Sequence, residues 1–332
     1  MERELVSIII PAYNVSAYIS RGIKSCIDQT YKKIEIIIVD DGSTDCTWDI
    51  ICGWQESDSR IKAFRQENCG VSVSRNVGLK HSGGGYILFL DGDDWLEQDA
   101  VAYLVKMIGG REDVIAVCGH YNVRSEKGIL RRHHQKAQQA PGFVPAEQVL
   151  QSLLEGSYSL TSACYKLYPV HIIRELRFDP DIYNMEDGLF CFQAVGQSEG
   201  IIYSTEPKWN ILFREGSFTR SGYNAKYLTA ITAIERMMDH NKTSTVWPIL
   251  VSAFFLRALQ LLNDALLDPD KNIEDILFLR EKIASYADSG VFYVKKFTTL
   301  LNAILILRLP VSIAAGYRKA VVAIRNTRRR KR

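Results

Sequence analysis

An α/β fold with a doubly wound, mostly parallel sheet and a helical C-terminal extension is predicted for this chain from three observations. Short β-branched apolar runs alternate with helical patterns through its first half. Acidic clusters stand directly after those runs. From about Tyr223 onward the pattern turns almost wholly helical. A length of 332 residues suits one large α/β domain with an appendage. The boundaries expected are 1–220 for the α/β domain and 221–332 for a helical region ending in a basic amphipathic tail.

Taken in order, "LVSIIIP" is a short apolar run of the kind found in strands covered on both faces. A helical pattern follows with Ile19, Ile23, Cys26 and Ile27 on one face. "IEIIIVD" is a second buried strand, and Ser43 or Asp45 can cap the next helix, which carries Trp48, Ile51 and Cys52. "IKAF" gives a third strand and "SVSRNVGLKHS" a third helix, closed by a turn at Gly83, Gly84 and Gly85. "YILFL" is a fourth strand, leading to a helix with Val101, Leu104, Val105 and Ile108 inward, and "VIAVCG" a fifth. This alternation implies right-handed crossovers and a parallel sheet. Residues 120–145 read as a long loop or irregular hairpin. Residues 146–215 are mixed, with a helix near 186–195 and strand-like "IIYS" and "KWNILF".

Composition narrows the class. The hydrophobic fraction of 47% and charged fraction of 24% are those of a globular protein, excluding a disordered or fibrous chain. Seven cysteines without CxxC spacing suit reduced thiols in a cytosolic setting rather than disulfides or zinc. Six histidines show no HxxH or HExxH spacing, which also speaks against zinc. "MERELVSIII" leads straight into a strand, so no secretory signal is expected. From Arg308 onward there are nine basic residues and no acidic one, so the rest carries 32 basic against 38 acidic residues, a net of −6 where the whole is +3. Attraction to anionic surfaces therefore belongs to the tail.

In open parallel sheets ligands bind beyond the carboxyl ends of the strands. "PAYN" follows the first strand, "DDGSTD" the second and "DGDD" the fourth, so these segments are expected along one rim. Asp91, Asp93 and Asp94 would raise one another's pKa values unless a cation neutralises them, and hard oxygen ligands suit Mg²⁺ or Mn²⁺ shared with phosphate. A helix-capping acidic turn would explain Asp94 alone. An Asx-turn accounts for Ser43 and Asp45 but not for both Asp40 and Asp41, one of which could accept the imide N–H of a uracil. Tyr13 could stack on a base, or simply pack. Arg75, beside Asn76, could reach a phosphate or base, or form a surface salt bridge. Glu186 and Asp187 open an amphipathic helix, where acids also complement the helix dipole. Arg214, Ser217 and Arg220 could contact phosphate or clamp a loop.

Together "VSIIIPAYNVSAYISRGIKSCIDQTYKKIEIIIVDDGSTD", "ENCGVSVSRNVGL", "GYILFLDGDDW" and "MEDGLF" resemble the family-2 glycosyltransferases of GT-A (Rossmann-like) fold, over roughly residues 5–220. The resemblance implies an inverting enzyme that uses a nucleotide-diphosphate sugar, often a UDP-sugar, with Mn²⁺ or Mg²⁺. It implies that Pro11, Ala12, Tyr13 and Asp41 contact the base, with Asn14 in the same donor site and Asp40 shaping the pocket. Arg75 would lie in the donor site, Asp91 near the ribose and Asp93 on the metal. Asp187 would be the catalytic base, with Glu186 beside it. Relatives often carry Gly-Glu before the fourth strand's tyrosine, where this chain has Gly84-Gly85. The QxxRW segment and clear spans of processive members are missing, which implies one sugar per encounter.

A bacterial enzyme of surface-polysaccharide assembly, acting on a glycan or lipid-linked acceptor, is the expectation, with acceptor selection within residues 120–240. "FTTLLNAILILRLPVSIAAG" is long enough to span a bilayer, but Arg308 and Pro310 interrupt it. A helix lying in the interface, with the basic tail on anionic lipid, fits better and predicts a cytoplasmic protein peripheral to the membrane. The apolar stretch at 245–267 is expected to pack on the catalytic domain. Two alternatives stand beside this reading. "FLDGDDW" superficially resembles the DxDG motif of haloacid-dehalogenase phosphohydrolases, but in the wrong order and on the fourth strand. A non-catalytic binder, of nucleic acid through the tail or of nucleotide sugars, fits poorly with an acidic body that keeps Asp93 and Asp187.

Overall fold

The computed structural model describes residues 2–126, 129–134, 140–153, 162–213, 223–239, 241, 244–287, 307 and 309–315. The chain divides into two compact units, Met1–Arg220 and Ser221–Arg332.

The first unit begins β1 (Glu2–Ala12), α1 (Ile19–Ile27), β2 (Ile34–Asp40), α2 (Thr47–Ser57), β3 (Ile61–Arg65), α3 (Val71–His81) and β4 (Gly84–Phe89). It continues through β5 (Trp95–Leu96), α4 (Ala100–Ile108), β6 (Val114–Glu126), β7 (Ile129–His134), β8 (Gly142–Pro145) and α5 (Ala146–Leu153). β9 (Lys166–Pro169), α6 (Val170–Ile173), α7 (Glu186–Gly196) and β10 (Gly200–Phe213) complete it. All seven positions of β2 are buried, as a strand with both faces covered requires. The sheet runs β3-β2-β1-β4-β9-β6-β10-β5. β3, β2, β1 and β4 pair in parallel, and β9 joins β4 and β6 antiparallel to both. β1 therefore has its sequence successor on one side and β4 on the other, and a crevice opens between their carboxyl ends.

Three local expectations are corrected. Gly84 and Gly85 open β4 rather than closing a turn. A Cβ on Gly84 would lie 2.6 Å from the Leu5 carbonyl oxygen and 2.7 Å from Ser7 Oγ, so close strand pairing accounts for the glycine. Within residues 120–145, β6 runs on to Glu126 and pairs in regular antiparallel register with β7, from Tyr121 against His134 to Glu126 against Ile129. "IIYS" and "KWNILF" form one strand, β10, whose register against β6 shifts near Pro207.

Two devices fix the strands and α3 that frame this edge. Ser7 Oγ and the Gly83 amide both donate to Glu35 Oε1 at 2.6 Å, and Lys62 donates to Oε2 at 2.6 Å, tying β1, β2, β3 and β4 at their amino ends. α3 buries Ser72, Ser74, Arg75 and Gly78, a face of small and polar groups, against the sheet. At Gly78 a Cβ would stand 2.2 Å from Ile9 Cγ2, so this helix lies unusually near β1.

The second unit contains α8 (Thr229–Asp239), α9 (Trp247–Ala265) and α10 (Ile273–Ala287). α9 buries Leu250, Val251, Phe254 and Leu262, and Phe254 meets Tyr286 of α10 at 4.5 Å between ring centres. Among the described residues no helix is long and apolar enough to cross a membrane. The expectations for Arg214, Ser217, Arg220 and nearly all of residues 297–332 lie outside the described residues.

Candidate active site

The loops after β1 and β2 are laced together. Asn14, at φ 50°, donates its amide to Ser43 Oγ (3.0 Å), and its Oδ1 accepts from the Thr44 amide at 2.9 Å. Asp45 accepts from the amides of Ser16 (3.1 Å) and Thr47 (3.0 Å). Burial opposes its charge, yet hydrogen bonds from Thr47 and Ser16 prevail and hold its pKa down to about 2. Ser43 is thus spent on the first loop, while Asp45 serves the start of α2. Pro11 and Ala12 are buried at the end of β1, and Tyr13, 47% exposed, projects beyond it.

Asp40 and Asp41 part company. The Asp41 carboxylate accepts from Gln66 Nε2 (2.7 Å) and the amides of Cys69 (2.9 Å) and Gly70 (2.8 Å). It therefore neutralises the amino end of α3. Gly42, at φ 72°, makes the turn possible, for a Cβ there would meet the Asn68 amide nitrogen at 2.8 Å. Asp40 accepts from the Ser43 amide (3.2 Å) and pairs with Arg65 at 3.2 Å through Oδ2, while its buried Oδ1 has no hydrogen-bond partner. Two adjacent acids are tolerable because each has its own donors.

Gly70 opens α3, and Arg75 lies five residues along it, about 7.5 Å of helix axis. Arg75 is 3% exposed and paired with carboxylates from two other elements. Nη2 meets Asp91 Oδ1 at 3.0 Å, and Nη1 meets Asp187 Oδ1 at 2.5 Å and Glu186 Oε1 at 3.6 Å. Burial works against its charge, but Asp187, Asp91 and Glu186 together raise its pKa. This is a buried cluster rather than the surface salt bridge that its sequence setting also allows. Asn76 beside it exchanges two hydrogen bonds with the Phe178 backbone, at 2.7 and 2.9 Å. Phe178 stacks on Phe190 of α7 at 4.1 Å and lies under the Arg75 guanidinium, so α7 is seated where its first residues reach that arginine.

Asp187 also accepts the Ala163 amide at 2.9 Å. Burial raises its pKa, with Arg75 opposing. Glu186 is pushed up to about 7, first by burial and then by the neighbouring Asp187. The acidic loop after β4 divides its labour. Asp94 is buried and accepts the Leu212 amide of β10 at 2.9 Å. Its pKa is raised well above the carboxylate range by burial and by Asp91 and Asp93. Asp91 and Asp93 remain partly exposed, and the Asp93 carbonyl accepts from Arg21 (3.2 Å), whose guanidinium lies 3.6 Å over Trp95. Among the described residues no three His, Cys, Asp or Glu side chains stand ready to hold a metal.

The structure thus joins Arg75, Asp91, Glu186 and Asp187 in one cluster, and sets Tyr13 and Asn14, after β1, next to the end of β2 that carries Asp40 and Asp41. Arg21, Gln66, Ala163 and Lys166 were missed. A lone lysine in the apolar "ACYKLYPV" was the available signal for the last; a backbone amide gives none.

A sheet with a switch point between β1 and β4, rimmed by acidic loops, has the form of a doubly wound α/β scaffold that takes a ligand at the carboxyl ends of its strands. The profile described as Glycosyl transferase family 2 matches residues 7–177, and the chain belongs to that family. It is 36% identical to glycosyltransferase GlyA of Streptococcus pneumoniae serotype 4 over 219 residues, 65% of this chain and 31% of that protein. Over 93 residues, 28% of this chain and 36% of the relative, it is 53% identical to WfaP of Escherichia coli, named a UDP-Glc:alpha-D-GlcNAc-diphosphoundecaprenol beta-1,3-glucosyltransferase. These matches take in about a third of each relative. The structure of S. aureus TarS 1–349 with UDP superposes with a TM-score of 0.62 at 16% identity, over 87% of this chain and 93% of that one. That likeness establishes the GT-A fold.

Proposed function

We propose that the chain transfers a sugar from a nucleotide-diphosphate sugar, most simply a UDP-sugar, to a glycan or lipid-linked acceptor, with inversion at the anomeric carbon. The observation that carries this reading is the pair of carboxylates, Asp91 and Asp187, on two arms of the buried Arg75 at the carboxyl edge of β4. Family membership supports it, as do the UDP-glucose donor and lipid-diphosphate acceptor in the name of WfaP and the TarS structures with UDP and UDP-GlcNAc.

Pro11, Ala12, Tyr13, Asn14, Asp40 and Asp41 would receive the nucleoside, with Asp91 near the ribose and Arg75 and Glu186 completing the donor site. Asp187 would take the acceptor hydroxyl's proton as that oxygen bonds to the anomeric carbon and the bond to the diphosphate breaks. Burial raises its pKa against the pull of Arg75, the direction that favours a base. Its oxygens keep lone pairs beyond those used by Arg75 and Ala163. Asp93, a partly exposed carboxylate, fits an Mg²⁺ or Mn²⁺ ion that keeps phosphate and water oxygens rather than one caged by protein. Such an ion supplies charge neutralisation at the leaving diphosphate.

The test is a melting panel with UDP and other nucleoside diphosphates, with and without Mn²⁺, followed by assay of Asp187→Asn. UDP at a hundred times its Kd should stabilise the native state by about 2.7 kcal/mol. Asp187→Asn should lose about 10²–10⁴-fold of its turnover while still binding UDP. Normal turnover removes Asp187 from the chemistry. The 1–220 and 221–332 division is kept as catalytic and helical regions, and the basic tail is assigned to anionic lipid on the inner face of the membrane.

A further inference from the structure

Lys166 opens the antiparallel strand β9 and is 1% exposed. Desolvating an ammonium ion is costly, and an apolar side chain of equal length would pack there without that cost. Its Nζ folds back onto the strand's own approach, donating to the carbonyls of Ser162 (2.5 Å) and Cys164 (3.3 Å). Tyr165, between Cys164 and Lys166, sits at φ 51°, a region that a bulky residue enters only where its surroundings enforce it. The Tyr165 ring stacks on His120 at 4.9 Å and underlies the Lys166 ammonium at 4.3 Å. The remaining carbonyl, that of Ala163, accepts from Tyr168 Oη at 3.1 Å, and Cys191 Sγ reaches the Ser162 carbonyl at 3.3 Å. Three successive carbonyls are therefore captured by buried side chains. The Ala163 amide is left pointing at Asp187 Oδ2, 2.9 Å away.

We propose that Lys166 is a positioning residue for Asp187, clamping the Ser162–Cys164 backbone so that the Ala163 amide fixes the carboxylate's orientation, with Tyr168 as its partner. This rests on the reading of Asp187 as the proton acceptor. The lysine's charge also bears on Asp187, lowering its pKa, as does Arg75 from α3. Asp91 after β4 presses the other way on Asp187, and Asp187 in turn raises Glu186 at the start of α7; among the described residues Cys164, Tyr165, Tyr168 and Cys191 are the further ionisable groups coupled to Asp187.

The full chain carrying Lys166→Met is compared with the parent for hydrolysis of UDP-glucose and UDP-N-acetylglucosamine across pH, and for UDP affinity. Loss of the lysine should lower kcat about tenfold or more while KM and UDP affinity stay within about twofold. The acidic limb of the pH profile should move to higher pH, because Asp187 loses a neighbouring positive charge. Tyr168→Phe, which removes one hydroxyl, should lower kcat about two- to fivefold with UDP affinity kept and the acidic limb unmoved, since no charge is lost. It decides the matter alone if Lys166→Met does not fold. Unchanged kcat in either folded variant overturns the proposal. Asp187→Asn separates the two ideas: if it hydrolyses normally the base assignment itself fails, whereas a dead Asp187→Asn beside a normal Lys166→Met removes only the lysine's role.

Discussion

At Arg75 one guanidinium answers three carboxylates drawn from the loop after β4 and the start of α7. Removing a partner from a buried ion pair leaves uncompensated charge, so Arg75→Met should cost about 3 kcal/mol in urea unfolding at pH 7. Arg75→Lys should rescue little, because a point charge cannot span both Asp91 and Asp187. Glu186 gives the pH signature. Its folded pKa of about 7 lies above the ordinary 4.5, so the stability it contributes is full below pH 4.5 and lost as pH rises through 7. Glu186→Gln should therefore shrink the fall in unfolding free energy between pH 5 and pH 8 by about 1–3 kcal/mol. An unaltered slope would show that Glu186 is already ionised at pH 5. The acids themselves were legible in the sequence, since carboxylates set directly after buried strands must meet donors or ligands beyond the sheet. Their partners were not. Nothing in "SVSRNVG" says that the arginine turns inward, because that depends on what the fold places opposite it.

The element that governs the site is α3, which carries Arg75, takes Asp41 at its amino end and approaches β1 through Gly78. Gly78→Ala should push it off Ile9 at a cost of about 1–3 kcal/mol, and weaken UDP-sugar turnover by shifting Arg75. Gly53, in α2 with no heavy atom within 4 Å of the place a Cβ would take, is the control: Gly53→Ala should gain about 0.4–1 kcal/mol. Melting temperatures of the two variants separate packing from helix propensity. The helix was readable from sequence, but its close approach was not, because a glycine within a helix is equally a weak spot. The hairpin of β6 and β7 was hidden for a related reason. Its basic "RRHH" run has no apolar alternation, and the pairing is imposed by the continuation of β6, a buried strand of the sheet.

At the scale of the molecule, charge is divided: an acidic body and a tail with nine basic residues from Arg308 onward. Truncation after Leu307 should abolish flotation with vesicles containing anionic lipid and leave UDP binding intact. Unchanged flotation would free the tail of that role. Raising salt should weaken the full chain's flotation, since surface attraction is screened beyond about 8 Å at physiological ionic strength.

The sequence by itself determined the strand-and-helix alternation, the acidic segments at strand ends and hence the rim on which they gather, because hydrophobic periodicity and chain reversal are local properties. Only the tertiary structure decided which partner each acid takes: Asp94 accepts from β10, Asp41 from the amino end of α3, and Asp91 and Asp187 share one arginine. Those choices turn on partners as much as 118 residues away, and on burial that no short stretch encodes.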